Sequence, residues 1–172
     1  MLTVLLGGAR SGKSTLAVEL AGRAGAPVTF VATGTASDEE MAERIARHRA
    51  ERPAGWVTIE APVDLQAAIE SVEPGATLVV DCLTLWLNNL MAAGVDAPAA
   101  VERASSCAAV VSSRPGATIV VSNEVGSGIV PASFLPRLYR DTLGRINSIF
   151  TAQAEVAYLV VAGRVLPLQR LW

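Results

Sequence analysis

The sequence predicts a single α/β domain over residues 1–172, a three-layer sandwich with a mostly parallel central sheet, helices on both faces and a β ribbon at the C-terminal end. Three observations predict it. Apolar runs rich in β-branched residues alternate with helical patterns along the chain. Those runs are near-continuously hydrophobic, which is how strands read when both faces of a sheet are covered. And the first run passes directly into a glycine-rich string and then into a helix, the order strand, loop, helix.

The elements follow in order. Strands are expected at Thr3 to Leu6, Val28 to Ala32, Trp56 to Glu60, Thr77 to Asp81, Thr118 to Ser122 and Val156 to Val161, with a terminal ribbon around Arg164 to Leu168. Helices are expected at Lys13 to Ala24, Asp38 to Glu51, Leu65 to Ser71, Ala97 to Ser112 and Phe134 to Ala154, with a shorter one near Leu85 to Ala92. Residues Ala93 to Ala99, with Gly94 and Pro98, are the most loop-like connection. In open sheets of this kind, ligands sit beyond the carboxyl ends of the strands.

Composition narrows the chemistry. With 51% hydrophobic residues in 172, the chain can bury one full core. A net charge of −2, without a block of five like charges, offers no footprint for nucleic acid or an anionic membrane. Small-molecule chemistry is the expectation. Met1 opens straight into strand residues and no apolar run approaches the roughly 20 residues of a spanning helix, so no membrane insertion and a cytoplasmic location are expected. Cys82 and Cys107 are far apart, with one histidine in the whole chain for company, and read as small core residues.

Gly7-Gly8-Ala9-Arg10-Ser11-Gly12-Lys13-Ser14 fits the phosphate-loop template G-x-x-x-x-G-K-[ST]. Glycines let successive backbone N–H groups converge on a phosphate chain, and the following helix aims its positive dipole end there. Lys13 supplies a compact cation, and Ser14 is placed to ligate Mg²⁺. The domain therefore reads as P-loop NTPase-like, binding a nucleoside triphosphate. Asp81, ending the run Leu78-Val79-Val80-Asp81, is a carboxylate at a strand mouth, suited either to hold Mg²⁺ directly or through water, or to cap the next helix or turn. Glu124 is a similar strand-end acid without an assigned role.

The stretch from Ser37 to Pro53 separates this chain from an ordinary small-molecule kinase. Ser37 and Glu40 have capping-box spacing and Pro53 marks the stop. Met41, Ile45 and His48 fall at i, i+4 and i+7, on one face, with Arg47, Arg49 and Arg52 around the only histidine. Two readings of His48 stand at this point. It is a half-buried packing residue, or its neutral imidazole is a nucleophile toward an α-phosphorus with the arginines steadying the phosphate oxygens. Spacing does not decide between them.

The combination of that loop with Ala32-Thr33-Gly34, Asp38-Glu39-Glu40-Met41, Arg44-Ile45, His48-Arg49, Arg52-Pro53, Trp56, Glu60 and Asp81-Cys82-Leu83-Thr84 closely resembles the bifunctional adenosylcobinamide kinase / adenosylcobinamide-phosphate guanylyltransferase family of cobalamin assembly. The strings from Ser122 to Pro131 and from Tyr139 to Asn147 are similar to that family's C-terminal motifs, so the resemblance covers essentially the whole chain. It implies phosphorylation of the aminopropanol hydroxyl of adenosylcobinamide by ATP or GTP. It then implies attack of a histidine on the α-phosphate of GTP and transfer of GMP to the new phosphate, giving adenosylcobinamide-GDP. By motif, His48 is the guanylylated residue, with Lys13 and Asp81 beside it as catalytic residues and Ser14 and Asp81 at Mg²⁺. Nucleotide contacts are implied for Gly7, Gly8, Ala9, Arg10, Ser11, Gly12, Lys13 and Ser14, for Ala32, Thr33 and Gly34, for Arg49, Ala50, Glu51 and Arg52, and for Glu60 and Asp81. Some relatives carry Glu at the position of Asp81.

A homo-oligomer, a trimer, is also implied. Corrinoid contacts are not assigned, and Arg10, Arg140, Asp141, Arg145 and Asn147 keep open roles. Trp56, Trp86 and Trp172 are too dispersed for a stacking platform, and Leu85 to Leu90 reads as a buried helix edge. The rival function is a P-loop kinase for another small alcohol without guanylyl transfer. A non-catalytic nucleotide switch is disfavoured because the Asn-Lys-x-Asp string that reads guanine in regulatory GTPases is absent.

Overall fold

The structure is a computed structural model that describes residues 1–36 and 38–170. The Ser37 half of the expected capping box and Trp172 lie outside the described residues. Seven strands and six helices follow one another among those residues: β1 (Leu2–Gly7), α1 (Lys13–Arg23), β2 (Val28–Ala32), α2 (Glu39–Ala50), β3 (Val57–Glu60), α3 (Leu65–Glu70), β4 (Thr77–Asp81), α4 (Leu83–Ala92), α5 (Ala97–Ser113), β5 (Thr118–Val121), α6 (Phe134–Gln153), β6 (Val156–Val161) and β7 (Arg164–Pro167). The fourth helix starts at Leu83, two residues before the expected start, because Cys82 takes extended geometry and serves as its N-cap.

The strands form one sheet in the order β3-β2-β4-β5-β1-β6-β7. All neighbours are parallel except the terminal β6-β7 ribbon. Register brings four strand ends to one side: Ala32 opposite Asp81, Asp81 opposite Val121, and Val121 opposite Leu5, two residues before Gly7. A phosphate loop leaving β1 and an acid ending β4 thus open onto the same edge of the sheet.

Alternation along the strands divides the core into two layers. Leu2, Val4, Val31, Leu78, Val80 and Val120 pack under α3, α4, α5 and α6, against Leu65, Ile69, Trp86, Leu90, Leu143 and Phe150. Leu5, Phe30, Val79, Ile119 and Val121 face the other way, against Ala17 and Ala21 of α1. The two alanines are one helical turn apart, and their small side chains let α1 lie close on the sheet. Each large side chain buried this way contributes about 1.5–3 kcal/mol.

The cysteines are free and buried, as the sequence reading expects, and burial pushes both thiols up to about 12. The Leu85 to Leu90 edge is also as expected, with Trp86, Leu87 and Leu90 fully enclosed.

Candidate active site

The loop between β1 and α1 is shaped by residues that carry little or no side chain. Gly7 has φ +155, and a Cβ there would lie 2.2 Å from the Val160 carbonyl oxygen on the adjacent strand, so no other residue fits without moving the backbone. Gly12, at φ 101, turns the chain into α1 as its N-cap, and Arg10 also takes the left-handed region at φ 55. No side chain caps α1, which leaves the backbone donors of its first turn available to an anion. Lys13 is buried, and its ammonium donates to Gly8 O at 2.6 Å and lies 3.3 Å from Ser11 Oγ. Burial lowers its pKa, against the raising influence of Cys82 and Asp81. The cation folded back on its own loop is thus poorly compensated, and a phosphate would be a better partner.

Asp81 ends β4 beside this loop. Burial raises its pKa, opposed by a hydrogen bond from Ser14 and by the charges of His48, Arg52 and Lys13. The Asp81–Cys82 peptide is cis. Thr33, fully buried, donates its hydroxyl to Cys82 O at 2.7 Å and accepts from Cys82 N at 2.9 Å. Asn89 Nδ2 in turn donates to Thr33 O at 2.7 Å. These bonds tie the ends of β2 and β4 to α4 and fix where the Asp81 carboxylate can point. Asp81 does not cap α4, since Cys82 holds that position.

The second helix forms the outer wall. Asp38 is its N-cap, accepting from Met41 N at 2.8 Å, so the described cap is one residue later than the expected Ser37. No residue of α2 is fully buried; Met41, Ile45 and His48 are half-buried and the other nine are exposed, which is the face the spacing predicts. His48 Nδ1 lies 3.9 Å from Asp81 Oδ2, with 31% of the imidazole side chain exposed. Arg49 pairs with Glu60 of β3. Arg52 stacks its guanidinium 3.7 Å over the Phe30 ring, and its Nε is buried without a partner.

These parts enclose a cavity of about 480 Å³ lined from the loop, the strand ends and α2. Of the residues the sequence points to, Arg10, Ser11, Gly12, Lys13, Ser14, Ala32, Gly34, His48, Arg49, Glu51, Arg52, Glu60 and Asp81 line it. Gly7, Gly8, Ala9, Thr33 and Ala50 are not among its lining residues: Gly7 is enclosed in the sheet, Thr33 is spent on the Cys82 clamp, and Gly8, Ala9 and Ala50 are exposed. The cavity also takes in Arg47, which the sequence places beside His48, and Glu40, Glu43 and Arg44 of α2 with Leu85, Val121 and Asn123, which it does not assign there. Arg44 and Arg47 flank the Met41/Ile45/His48 stripe and were legible as its neighbours. Val121 and Asn123 required knowing that β5 lies between β4 and β1.

A glycine-shaped loop before a helix, a buried lysine and an acid on a neighbouring strand define the class: a P-loop nucleotide-binding α/β domain. Solved structures agree on the fold. The RadB recombinase superposes with a TM-score of 0.55 at 19% identity, covering 92% of this chain and 73% of that one. A type III secretion system ATPase from pathogenic bacteria superposes at 0.58 and 12% identity, covering 92% and 51%. Sequence comparison is narrower. The cobinamide kinase / cobinamide phosphate guanyltransferase family pattern matches residues 3–168. The bifunctional adenosylcobalamin biosynthesis protein CobP of Pseudomonas aeruginosa is 44% identical over 98% of both chains. The CobU proteins of Salmonella typhimurium and Escherichia coli are 39% and 38% identical, each over 95% of this chain and 97% of theirs. This chain belongs to the cobinamide kinase / cobinamide phosphate guanyltransferase family and is an enzyme of that bifunctional class. Among the described residues, no helix is long and apolar enough to cross a membrane.

Proposed function

We propose that the chain, working in cobalamin assembly, phosphorylates the aminopropanol hydroxyl of adenosylcobinamide with ATP or GTP and then transfers GMP from GTP, through His48, onto the new phosphate. In the first step an acceptor O–P bond forms at the γ-phosphorus, and the nucleoside diphosphate leaves with the electron pair of the broken P–O bond. In the second, an imidazole nitrogen of His48 bonds to the α-phosphorus of GTP and pyrophosphate leaves. The cobinamide phosphate oxygen then displaces the imidazole and carries the guanylyl group away.

The observation that carries this reading is the position of His48: Nδ1 is 3.9 Å from Asp81 Oδ2, on the same cavity as Lys13 and Ser14, and the ring is part-exposed. That geometry favours the two-step enzyme over a kinase for some other small alcohol. With Nδ1 turned toward the Asp81 carboxylate, Nε2 is the nitrogen left to present a lone pair.

In this reading the loop from Gly7 to Ser14 binds the phosphates, Arg10 to Ser14 lining the cavity and Gly7 to Ala9 setting the loop's course, and Lys13 swings from Gly8 O onto them. Ala32 and Gly34 bound the nucleotide at the end of β2, with Thr33 holding that edge from behind. Arg49, Glu51, Arg52 and Glu60 face it from α2, its C-terminal turn and β3, with Ala50 between them on the outside of the helix. Ser14 and Asp81 are the residues that would hold Mg²⁺: a buried carboxylate bonded to a hydroxyl, with its nearest basic partner 3.9 Å away, fits a divalent cation. Among the described residues no three His, Cys, Asp or Glu side chains cluster as a protein cage, consistent with an ion shared with substrate phosphates. When bound, Mg²⁺ would neutralise phosphate charge as the P–O bonds exchange.

All 172 residues form one domain in this proposal, working in the cytoplasm as a homo-oligomer, a trimer. Ile129 (98% exposed), Val130, Phe134 and Leu135 form a run of large apolar side chains in solvent, which supports burial against another copy. The test of function is incubation with GTP labelled at the α-phosphate, adenosylcobinamide and Mg²⁺. An acid-labile protein adduct and adenosylcobinamide-GDP are expected, and His48→Ala abolishes both. Undiminished adduct in that variant would remove His48 from the reaction.

A further inference from the structure

We infer that Glu124 is the general base that takes the proton of the acceptor hydroxyl in the kinase step, and that the open groove beside it admits the acceptor. The inference rests on the proposed phosphorylation of adenosylcobinamide. An attacking alcohol must give up its proton, and the groups assigned to the phosphates and to guanylyl transfer are engaged otherwise. Lys13 is a cation, Asp81 and Ser14 are paired with each other, and His48 stands on the far wall, on α2.

Glu124 is held at the phosphate loop by its own backbone: its N–H donates to Gly7 O at 3.0 Å, on the first glycine of the loop. The adjacent Asn123 lines the nucleotide cavity, while Glu124 itself lines a second, open groove of about 900 Å³ walled by α5 and α6. Two consecutive residues therefore face the two spaces that a phosphate donor and a bulky acceptor would occupy. Glu124 as a residue is half-buried, and its Oε1 accepts from Gly126 N. Oε2 has no partner among the described residues and is free to accept a proton.

The setting is braced from α6. Tyr139 Oη donates to Thr84 O at 2.8 Å, Thr84 Oγ1 accepts from Asn123 N at 2.8 Å, and Asn147 Nδ2 donates to Asn123 O at 3.0 Å. Tyr139 and Asn147 thus fix the strand end on which Glu124 sits. Across the groove, Arg145 has no partner among the described residues, and Ser148 adds a hydroxyl. These donors suit an acceptor rimmed with carboxamide groups. In the step, the acceptor oxygen bonds to the γ-phosphorus as the bond to the β–γ bridging oxygen breaks. The hydroxyl proton passes to Glu124 Oε2 and from there to solvent.

The test is steady-state phosphorylation of adenosylcobinamide by ATP in the intact enzyme, beside the affinity for a fluorescent mant-GTP. Glu124→Gln is expected to lower kcat about 10²-fold or more with KM for adenosylcobinamide little changed, and Glu124→Asp to restore part of the rate. Arg145→Ala is expected to raise KM for adenosylcobinamide about tenfold with kcat little changed. Mant-GTP affinity within about threefold of wild type shows that the nucleotide site survives. A Glu124→Gln kcat within about threefold of wild type, or a rate loss matched by an equal loss of mant-GTP affinity, overturns the proposal. If the unaltered enzyme fails to phosphorylate adenosylcobinamide, the underlying function falls, and this inference with it.

Discussion

The two sides of the nucleotide cavity are built on different principles. The inner side, formed by β1, the phosphate loop, α1 and the ends of β4 and β5, is anchored in a closed core: Leu5, Ala17, Ala21, Val79 and Val121 are essentially inaccessible to water. The outer side is α2, a twelve-residue helix with no fully buried residue, attached through the half-buried stripe Met41, Ile45 and His48 and the Arg49–Glu60 pair. Phosphoryl transfer asks for fixed positioning of charge, which the inner side supplies. A nucleophile that must reach the α-phosphorus and later release its cargo benefits from a support with little burial to lose, and the outer side is that support.

The largest effect separating the two sides is expected from Lys13. Lys13→Ala removes the cation that both half-reactions share, so the kinase and guanylyl-transfer rates should both fall by about 10²–10³-fold or more. His48→Ala, on the outer side, removes only the guanylyl step. Because the Lys13 ammonium sits in a site that already lowers its pKa by burial, the substitution should not lower Tm. A Lys13→Ala enzyme that still forms the His48 adduct at the wild-type rate would break the idea of one shared cradle.

Truncations compare the sides as packing. Trp86, 1% exposed with its indole N–H on Val63 O at 2.9 Å, belongs to the sheet-backed core, and Trp86→Ala should cost about 3–5 kcal/mol. Ile45→Ala on the half-buried stripe of α2 should cost about 1 kcal/mol. Urea unfolding measures both. Similar losses would mean that α2 is as integral to the fold as the core helices.

Much of this was legible before the structure. The phosphate loop is contiguous, and its glycines announce the backbone they must adopt; Gly7 is the sharpest case, with a neighbouring strand where a Cβ would go. The α2 stripe is periodic, so Met41, Ile45 and His48 could be assigned to one face and were found there. What could not be read is whatever depends on strand order. The Thr33–Cys82 clamp and the Asn147–Asn123 bond join segments 49 and 24 residues apart, and neither leaves a local pattern. Thr33 shows the consequence: its motif marks it for a nucleotide contact, yet its hydroxyl is fully engaged by backbone. The helix cap illustrates a smaller ambiguity. Ser37 and Asp38 are adjacent and both of favoured N-cap type, and Asp38 makes the bond to Met41 N.

Charge makes a contrast within the inner side itself. Burial raises the pKa of Asp81 above its ordinary 3.8, so the folded state binds that proton more tightly than the unfolded chain. The group's contribution to stability is therefore greatest below pH 3.8 and is lost as pH rises from there through the folded-state value. Wherever it is ionised, the carboxylate weakens the ligand-free fold. Asp81→Asn should then raise Tm in EDTA-containing buffer at a pH where the carboxylate is ionised, while depressing both activities. An unchanged or lower Tm would show that the Ser14, His48, Arg52 and Lys13 contacts outweigh desolvation.

The smallest expected effect lies at the root of the outer wall. Gly34 sits between β2 and α2, outside the left-handed region, and a Cβ there would lie 3.2 Å from Leu85 Cδ1 and 3.7 Å from Ile45 Cδ1. Leu85 is half-buried and the contact is with the tip of its side chain, which can shift by the few tenths of an ångström required. The added methyl would then bridge α4 and α2 while reducing the freedom of the unfolded chain. Gly34→Ala should stabilise the protein by about 0.4–1 kcal/mol, raising Tm by about 1–4 °C. It should also slow amide exchange along α2 more than along α1, since only α2 gains an attachment. A fall in Tm would mean that the space between Ile45 and Leu85 does not yield and that α2 is already seated tightly there. The contrast between a rigid inner side and a lightly held outer one would then need to be drawn closer to His48.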